Sequence, residues 1–497
     1  MSLEAVRKGM RGLDPVVVTE APAGCGKTHE AADLARDLAE RLPDDREVLV
    51  LAHTNAAVEE FRSRASRHSA RVRALTLDAF ALELIVPYAT QLGLPSPLRP
   101  GRGGVSFSQL ATRVGELFTR APSILRAVAA HYPVMILDEH QDSRVDQHDI
   151  VDQLRRAGPV LVRVFGDPMQ AIYAFDGALV DWDALAADKK YSLTQPRRWK
   201  EEPALGEWLM AARDALRGDD TISREDVPAS VQLTTVEGLS DPGAYWKRPA
   251  PQLLRCLRTS LTDLEGTVGV LVPHNSHALG IRVGLAPLVS VYEGAEPSMA
   301  YEALEAAIRA TGRPRDLAHV MIGLVHESST GLDKQKREAL DKCLRDDDVE
   351  FGRRKTVRGF AEQLAALYES PDIPTFCAVA GSVCTNPPPW LKIHLPEALR
   401  CLAQVDLQAG EDPIDQLAGA ARYRKLAKRL PRRCVTTIHK SKGREFDHVI
   451  IPLATRSAFP DGAEARKLLY VAMTRSRRSI QILLPASGAT PLLVGSP

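Results

Sequence analysis

The sequence predicts an α/β fold with two core domains on mostly parallel sheets, a helical inserted domain and a small early insertion. Three observations point that way. Residues 16–28, VVVTEAPAGCGKT, form an apolar run that ends in a small-residue loop closed by Lys27 and Thr28. Short, buried-type strands alternate with helical patterns up to about residue 195, and this α/β character returns from about residue 431. Between 298 and 430 the pattern changes to helices and polar loops, which marks an insertion.

The first strand runs from residue 16 and turns through Gly24 and Gly26 into a helix with Ala31, Leu34, Ala35, Leu38 and Leu42 at helical spacing. Such a turn leaves unpaired backbone N–H groups facing one spot, where those donors and the helix dipole favour an anionic phosphate. Lys27 would reach the β- and γ-phosphates and Thr28 would offer its hydroxyl to Mg²⁺. The usual pattern opens with Gly, and here Ala21 holds that place.

A second strand over 47–52 delivers His53, Thr54 and Asn55 ahead of a helix through Ala56, Val58 and Phe61. By themselves Thr54 and Asn55 read as helix caps. A third strand over 72–77 leads into Asp78-Ala79-Phe80. The Pro- and Gly-rich stretch 92–105 is a loop at the tip of a small insertion, about 84–128, flanked by helical patterns over 80–88 and 107–130. The strand 134–137 then presents Asp138 and Glu139. One carboxylate of such a pair can hold the Mg²⁺ shell while the other polarises a water. Alone, the pair also fits a helix cap with a solvated neighbour; beside a phosphate loop the nucleotide reading is the stronger.

The strand 160–165 ends in Gly166-Asp167-Pro168-Met169-Gln170. Gln170 can sense a γ-phosphate, and the following Tyr173 and Phe175 can stack on bases, although both rings also fit a protein core. LTQPRRW follows from residue 193, then strands over 231–236 and 268–272. The tract 422–433 carries seven Lys and Arg without one acid, which suits either a solvated face or phosphate contact. The last block reads as a strand over 434–438, HKSKGREF, a strand over 448–452, a helix over 464–473 ending at Thr474-Arg475, and a strand over 479–484.

Composition bounds the function. At 497 residues the chain has room for about three domains. Its formal net charge is +1, so nucleic-acid contact has to come from local basic surface. The seven cysteines are odd in number and include no CxxC pair, which argues against a zinc knuckle and a disulfide frame and for reduced thiols in the cytoplasm. The N-terminal MSLEAVRKGM lacks the apolar core of a signal peptide, and no run approaches the roughly 18 apolar residues of a membrane helix.

Taken in order, APAGCGKT, AHTNAAVEEFRSRA, LDEHQDS, GDPMQAIYAFDGA, TIHKSKGREFDHVII and EARKLLYVAMTR resemble the motifs of superfamily 1 DNA helicases of the UvrD/Rep type. The resemblance covers nearly all of the chain. It implies two RecA-like P-loop NTPase cores, the first over 1–195 and the second over 196–297 plus 431–497, with 298–430 as the helical insertion. It implies ATP and Mg²⁺ as cofactors, single-stranded or partly duplex DNA as partner, and ATP hydrolysis coupled to 3′-to-5′ movement.

Carried over by residue, the resemblance gives ATP to Ala21, Pro22, Ala23, Gly24, Cys25, Gly26, Lys27 and Thr28. Thr28 and Asp138 hold the metal, Glu139 activates the attacking water and Gln170 reports the γ-phosphate. Arg198 and Arg475 stabilise the transferring phosphoryl group from the second core, and Glu445 holds the ribose. Single-strand contact falls to His53, Thr54, Asn55, Phe80, Tyr173, Phe175 and His439.

Three positions depart from the family pattern. No Gln sits at a suitable place before the phosphate loop, Arg197 occupies the place of the adenine-stacking aromatic, and Asp176 stands where Arg is usual. The compact layout, with TLDAF after the third strand, also resembles the helicase subunit of the Gabija antiphage system. That subunit works beside a separate nuclease, so this second resemblance implies a nuclease partner and an antiviral role. A nucleotide-gated DNA-binding subunit without processive unwinding is the alternative, and an RNA helicase a third reading.

Overall fold

A computed structural model describes the chain outside residues 1, 55–56, 60, 63–70, 95–105, 174–177, 242, 244–248, 292–295, 345–355, 395, 406–411, 415, 418–430 and 496–497. The chain divides into two compact units, Met1–Trp246 with Ala250–Pro273 and Thr437–Pro497, and Lys247–Pro249 with His274–Thr436.

In the first unit, near-continuous apolar runs build a parallel sheet from Val16–Glu20 (β1), Val48–Ala52 (β2), Val72–Thr76 (β3), Val134–Leu137 (β4), Leu161–Gly166 (β5) and Lys189–Ser192 (β6). Their order is β3-β2-β4-β5-β1-β6. Every pairing is parallel, with Val18 opposite Val164 and Val50 opposite Ile136. Strands buried on both faces lose the polar alternation of an exposed sheet, which is why VLVLA and VMIL are apolar throughout. Parallel order also carries the ends of β1, β4 and β5 to one edge, so residues distant in sequence arrive together there.

Helix α1, Leu3–Met10, and helix α2, Lys27–Ala39, pack against this sheet through Val6, Met10, Ala31, Leu34 and Leu38. Arg163 of β5 is the exception among the apolar strand residues, being fully buried. Its guanidinium donates to the carbonyls of Met10 (2.6 Å), Gly12 (2.6 Å) and Asp14 (2.9 Å), which satisfies backbone at the end of α1. Burial lowers its pKa to about 10. Replacing it by Met strands those acceptors, and Arg163→Met is expected to cost about 3 kcal/mol in a urea melt.

The same unit holds a second parallel set, in the order Val268–Val272, Phe446–Ile451, Ser476–Ser487 and Val231–Ser240. His448 lies opposite both Val268 and Ser479, and Ile482 lies opposite Leu233. The other unit is mainly helical, with a core that includes Leu317, Met321, Phe360, Leu364 and Phe376. It also contains the parallel pairing of Ser290 with Cys434 and a two-stranded antiparallel ladder between Ser329–Thr330 and Lys392–Ile393. No helix among the described residues is long and apolar enough to cross a membrane.

Local chemistry moves several expected boundaries. The helical pattern over 107–130 is two helices, Phe107–Arg120 and Pro122–His131, because Pro122 has no N–H to continue the first. The strand expected over 72–77 stops at Thr76, whose hydroxyl accepts from Ala79 N at 3.1 Å and starts helix Leu77–Ile85. Likewise Thr437 accepts from Lys440 N at 3.3 Å, so residue 438 opens a short helix rather than ending a strand. Two helices, Pro203–Arg217 and Pro251–Asp263, lie where the sequence patterning predicts no element.

Candidate functional site

The phosphate loop leaves β1 and enters α2 through two left-handed glycines, Gly24 at φ 74° and Gly26 at φ 83°. A side chain at either would be strained. At Gly24 it would also collide, since a Cβ would lie 2.7 Å from the Trp199 ring. Trp199 is itself pinned, its indole N–H donating to Ser476 O at 2.8 Å. Ala21 and Cys25 face the core. Burial first, then the charge of Asp167, pushes the Cys25 thiol up to about 12, which removes it as a nucleophile. The departure from Gly at Ala21 is accommodated, because its backbone is already satisfied by Gly166 O at 2.8 Å.

Lys27 and Thr28 emerge at the first turn of α2 and meet the acidic pair at the end of β4. Lys27 Nζ lies 2.7 Å from Glu139 Oε2, and Thr28 Oγ1 donates to Asp138 Oδ2 at 3.1 Å. Glu139 adopts a left-handed φ of 54°, rare for a non-glycine residue and typical of backbone held for function. Burial and the neighbouring Glu139 charge raise the Asp138 pKa. For Glu139 burial acts in the raising direction, yet Lys27 and Lys442 outweigh it and hold the carboxyl below the usual range. The two adjacent acids are thus split, one held as an anion beside a lysine and one made costly to ionise.

Thr28 and Asp138 offer two hard oxygens side by side, a donor set that suits Mg²⁺ completed by water and phosphate. Among the described residues no group of three or more His, Cys, Asp or Glu side chains gathers for a metal. That leaves a two-oxygen set, which is how Mg²⁺ at a phosphate site is commonly held.

Lys27, Thr28 and Glu139 line a cavity of about 760 Å³, within the range of pockets that take a nucleotide-sized ligand. Gln170, Arg198, Glu445 and Arg475 line it too. Arg475, 3% exposed, donates to Gln170 Oε1 at 3.2 Å. Burial, then repulsion from Arg198, lowers its pKa to about 10. Arg198 bonds Glu445 and Thr474 O, and Arg477 closes on the other Glu445 oxygen at 2.8 Å. Arg197 also faces the cavity, and its guanidinium is fixed by Glu30 at 2.7 Å. Glu30 is buried and shared with Arg7 of α1, also at 2.7 Å.

An aromatic cluster adjoins the cavity. His53 stacks on Tyr173 at 5.6 Å and 26°, and Tyr173 Oη donates to His439 O at 2.9 Å. Lys442 sits 5.0 Å over the Tyr173 ring while its ammonium bonds Asp142 and Gln170 O. Burial lowers the pKa of His53, which favours a neutral, stackable imidazole. Thr54 accepts from Ala57 N at 3.2 Å, the capping role its position allowed.

Phe80 is a correction. It is 2% exposed in the core cluster with Leu77 and Ile85 and meets Tyr132 edge-on, so it has no face to offer a base. Asn55, Phe175, Asp176 and most of the basic tract 422–433 lie outside the described residues. Sequence reasoning gave no role to Tyr470, Asp167, Lys442 and Asp142, although each lies within a quoted motif, and Arg213, also bonded into this region, lies outside all of them.

Residues 92–190 match the UvrD/REP helicase N-terminal domain, and residues 433–482 match the UvrD-like helicase C-terminal domain. The RecBCD enzyme subunit RecB of Mycolicibacterium smegmatis is 31% identical over 134 residues, 26% of this chain and 12% of that protein. The RecB subunit of Buchnera aphidicola is 30% identical over 74 residues, 15% of this chain and 6% of that protein. The chain therefore spans only a small part of the curated relatives it matches. The crystal structure of Pif1 helicase from Candida albicans aligns over 97% of this chain and 94% of that one, with 15% identity and a TM-score of 0.35.

Proposed function

Since the chain belongs to the UvrD/Rep-like superfamily 1 helicases, we propose that it is an ATP-dependent DNA translocase that hydrolyses ATP as it moves 3′ to 5′ on single-stranded DNA. The observation that carries this reading is the meeting of Lys27, Glu139, Gln170 and Arg475 around one cavity, although Lys27 and Arg475 lie more than 400 residues apart.

Each residue then has a task. The loop N–H groups and Lys27 bind the phosphates, Glu139 takes the proton of the attacking water, and Gln170 and Arg475 face the terminal phosphoryl group. Arriving phosphates compete with Glu139 for Lys27, which releases the carboxylate to act as base. Thr28 and Asp138 hold the magnesium, and the ion when bound neutralises phosphate charge. Glu445 contacts the ribose, and the guanidinium of Arg197 provides the flat surface for the base. Pro22, Ala23, Gly24 and Gly26 wrap the phosphates. His53, Tyr173 and His439, joined to Gln170 through Lys442, grip the DNA strand, so a change at the γ-phosphate is passed to that grip.

We assign the first core to about 1–195, the second to about 196–297 with 431–497, and the insertion to about 298–430. A nuclease partner and an antiviral role are part of the same proposal and rest on the likeness in layout to the Gabija helicase subunit.

Stopped-flow fluorescence on end-labelled strands tests the motor. The dye signal is expected to lag in proportion to strand length only when the label is at the 5′ end. Turnover without a lag supports instead a nucleotide-gated binding subunit, a reading favoured by the absent glutamine before the phosphate loop and by Asp176. DNA homopolymers are expected to stimulate hydrolysis more than RNA homopolymers, and the opposite order identifies an RNA helicase.

A further inference from the structure

Asp167 follows β5, is 0% exposed, and is the point at which four separate segments meet. Its Oδ1 accepts from Arg213 at 2.9 and 3.2 Å and from Met169 N at 3.2 Å. Its Oδ2 accepts from Gln170 Nε2 at 2.9 Å and from Tyr470 Oη at 3.0 Å. Tyr470, 1% exposed, also accepts from Ala23 N of the phosphate loop at 3.0 Å. Arg213, from helix Pro203–Arg217 and 4% exposed, reaches in addition to Glu20 at the end of β1. Neither Arg213 nor Tyr470 lines the cavity, so neither can touch a nucleotide there directly.

Hydrogen-bond chemistry gives this cluster a direction. The Asp167 side chain accepts in each of these bonds, so the Gln170 amide turns its NH₂ toward it. Its carbonyl oxygen is then left for Arg475 Nη2, 3.2 Å away. Arg213 pairs this buried carboxylate through two guanidinium nitrogens on the same Oδ1, which leaves Oδ2 for Gln170 and Tyr470. The Tyr470 hydroxyl, having accepted from Ala23 N, has its one proton left for Asp167, which ties the loop to the same carboxylate.

We propose that Arg213 and Tyr470 are positioning residues for ATP hydrolysis, acting through Asp167 to fix the orientation of the Gln170 amide and the seat of the phosphate loop. The inference rests on the nucleotide site proposed above. It assigns a role in turnover to a helix, Pro203–Arg217, that contributes nothing to the cavity wall.

Tyr470→Phe removes one hydroxyl and Arg213→Lys keeps the charge but loses the planar fork, so both variants retain the bulk of the buried cluster. Each is expected to lower kcat about tenfold with KM for ATP within about twofold, because an ill-placed group slows chemistry more than binding. In a Gln170→Ala background the further loss is expected to shrink below about threefold, since the amide they orient is gone. A purely structural role predicts the same loss in both backgrounds, and that result overturns the proposal. So does a kcat within twofold of the parent in either folded single variant. Lys27→Ala, run beside them, separates the two layers: parent-like hydrolysis there defeats the nucleotide site itself, whereas an inactive Lys27→Ala with insensitive Tyr470→Phe and Arg213→Lys defeats only this inference.

Discussion

Lys27→Ala is expected to lower ATP turnover by about a thousandfold or more while the protein stays folded, measured by phosphate release and far-ultraviolet circular dichroism. The ammonium is the only side-chain cation that projects from the loop itself, and it emerges at the helix terminus where the phosphates are drawn. It is 7% exposed and its partner is Glu139, at 2.7 Å. Removing it therefore acts twice. In the proposed site the β- and γ-phosphates would lose their cation, and Glu139 loses the neighbour that does most to hold it ionised. Glu139 keeps Gln141 as a donor at 2.6 Å, so the fold does not depend on the lysine. Binding of single-stranded DNA without nucleotide is expected to persist, because His53 and Tyr173 make no contact through Lys27. Parent-like turnover would place the nucleotide elsewhere.

Arg475→Ala is expected to reduce turnover by about 10³- to 10⁵-fold, the range for loss of a guanidinium that meets phosphoryl charge. Among the described residues no carboxylate pairs with Arg475; its donors go to Val471 O, Thr474 Oγ1 and Gln170 Oε1, all neutral. A buried cation with no carboxylate in contact is unfavourable, and its pKa falls to about 10 because burial and then repulsion from Arg198 outweigh the attraction of Glu445 and Glu139. An anionic phosphate supplies the missing charge. Two results follow from one cause. Activity falls, and thermal stability without nucleotide stays at or above that of the parent, because a buried charge that only distant carboxylates offset has been removed. Arg475→Lys is expected to recover little, since a point charge on a flexible stem does not reproduce the planar fork. A variant that is active, or one that is inactive only because it has unfolded, contradicts this account.

Part of this site is written in short stretches of chain. The run VVVTEAPAGCGKT encodes strand, turn and helix with local means: apolar side chains, two glycines and a lysine at the helix start. Asp138 and Glu139 are legible because a buried strand, VMIL, has to deliver whatever follows it to one edge of a parallel sheet. The parallel α/β class follows from the same runs, which lack the alternation of an exposed sheet.

Phe80 shows where that reasoning stops. An aromatic just after a strand fits a base contact and a core equally well, and only packing against Tyr132 chose the core. Arg197 is similar: its place suggested a base platform, but its tie to Glu30, and through Glu30 to Arg7, needs three segments to meet.

The sequence by itself determined the loop, the acidic pair and the motifs that carry the resemblance to a family, because each depends on neighbours within a few residues. Tertiary structure alone decided that Tyr470 and Arg213 converge on Asp167, and that Lys442 joins Asp142 to Tyr173. Such buried polar pairings are set by which strand ends and helices come together, and a charge gives no sign along the chain of the partner that will neutralise it.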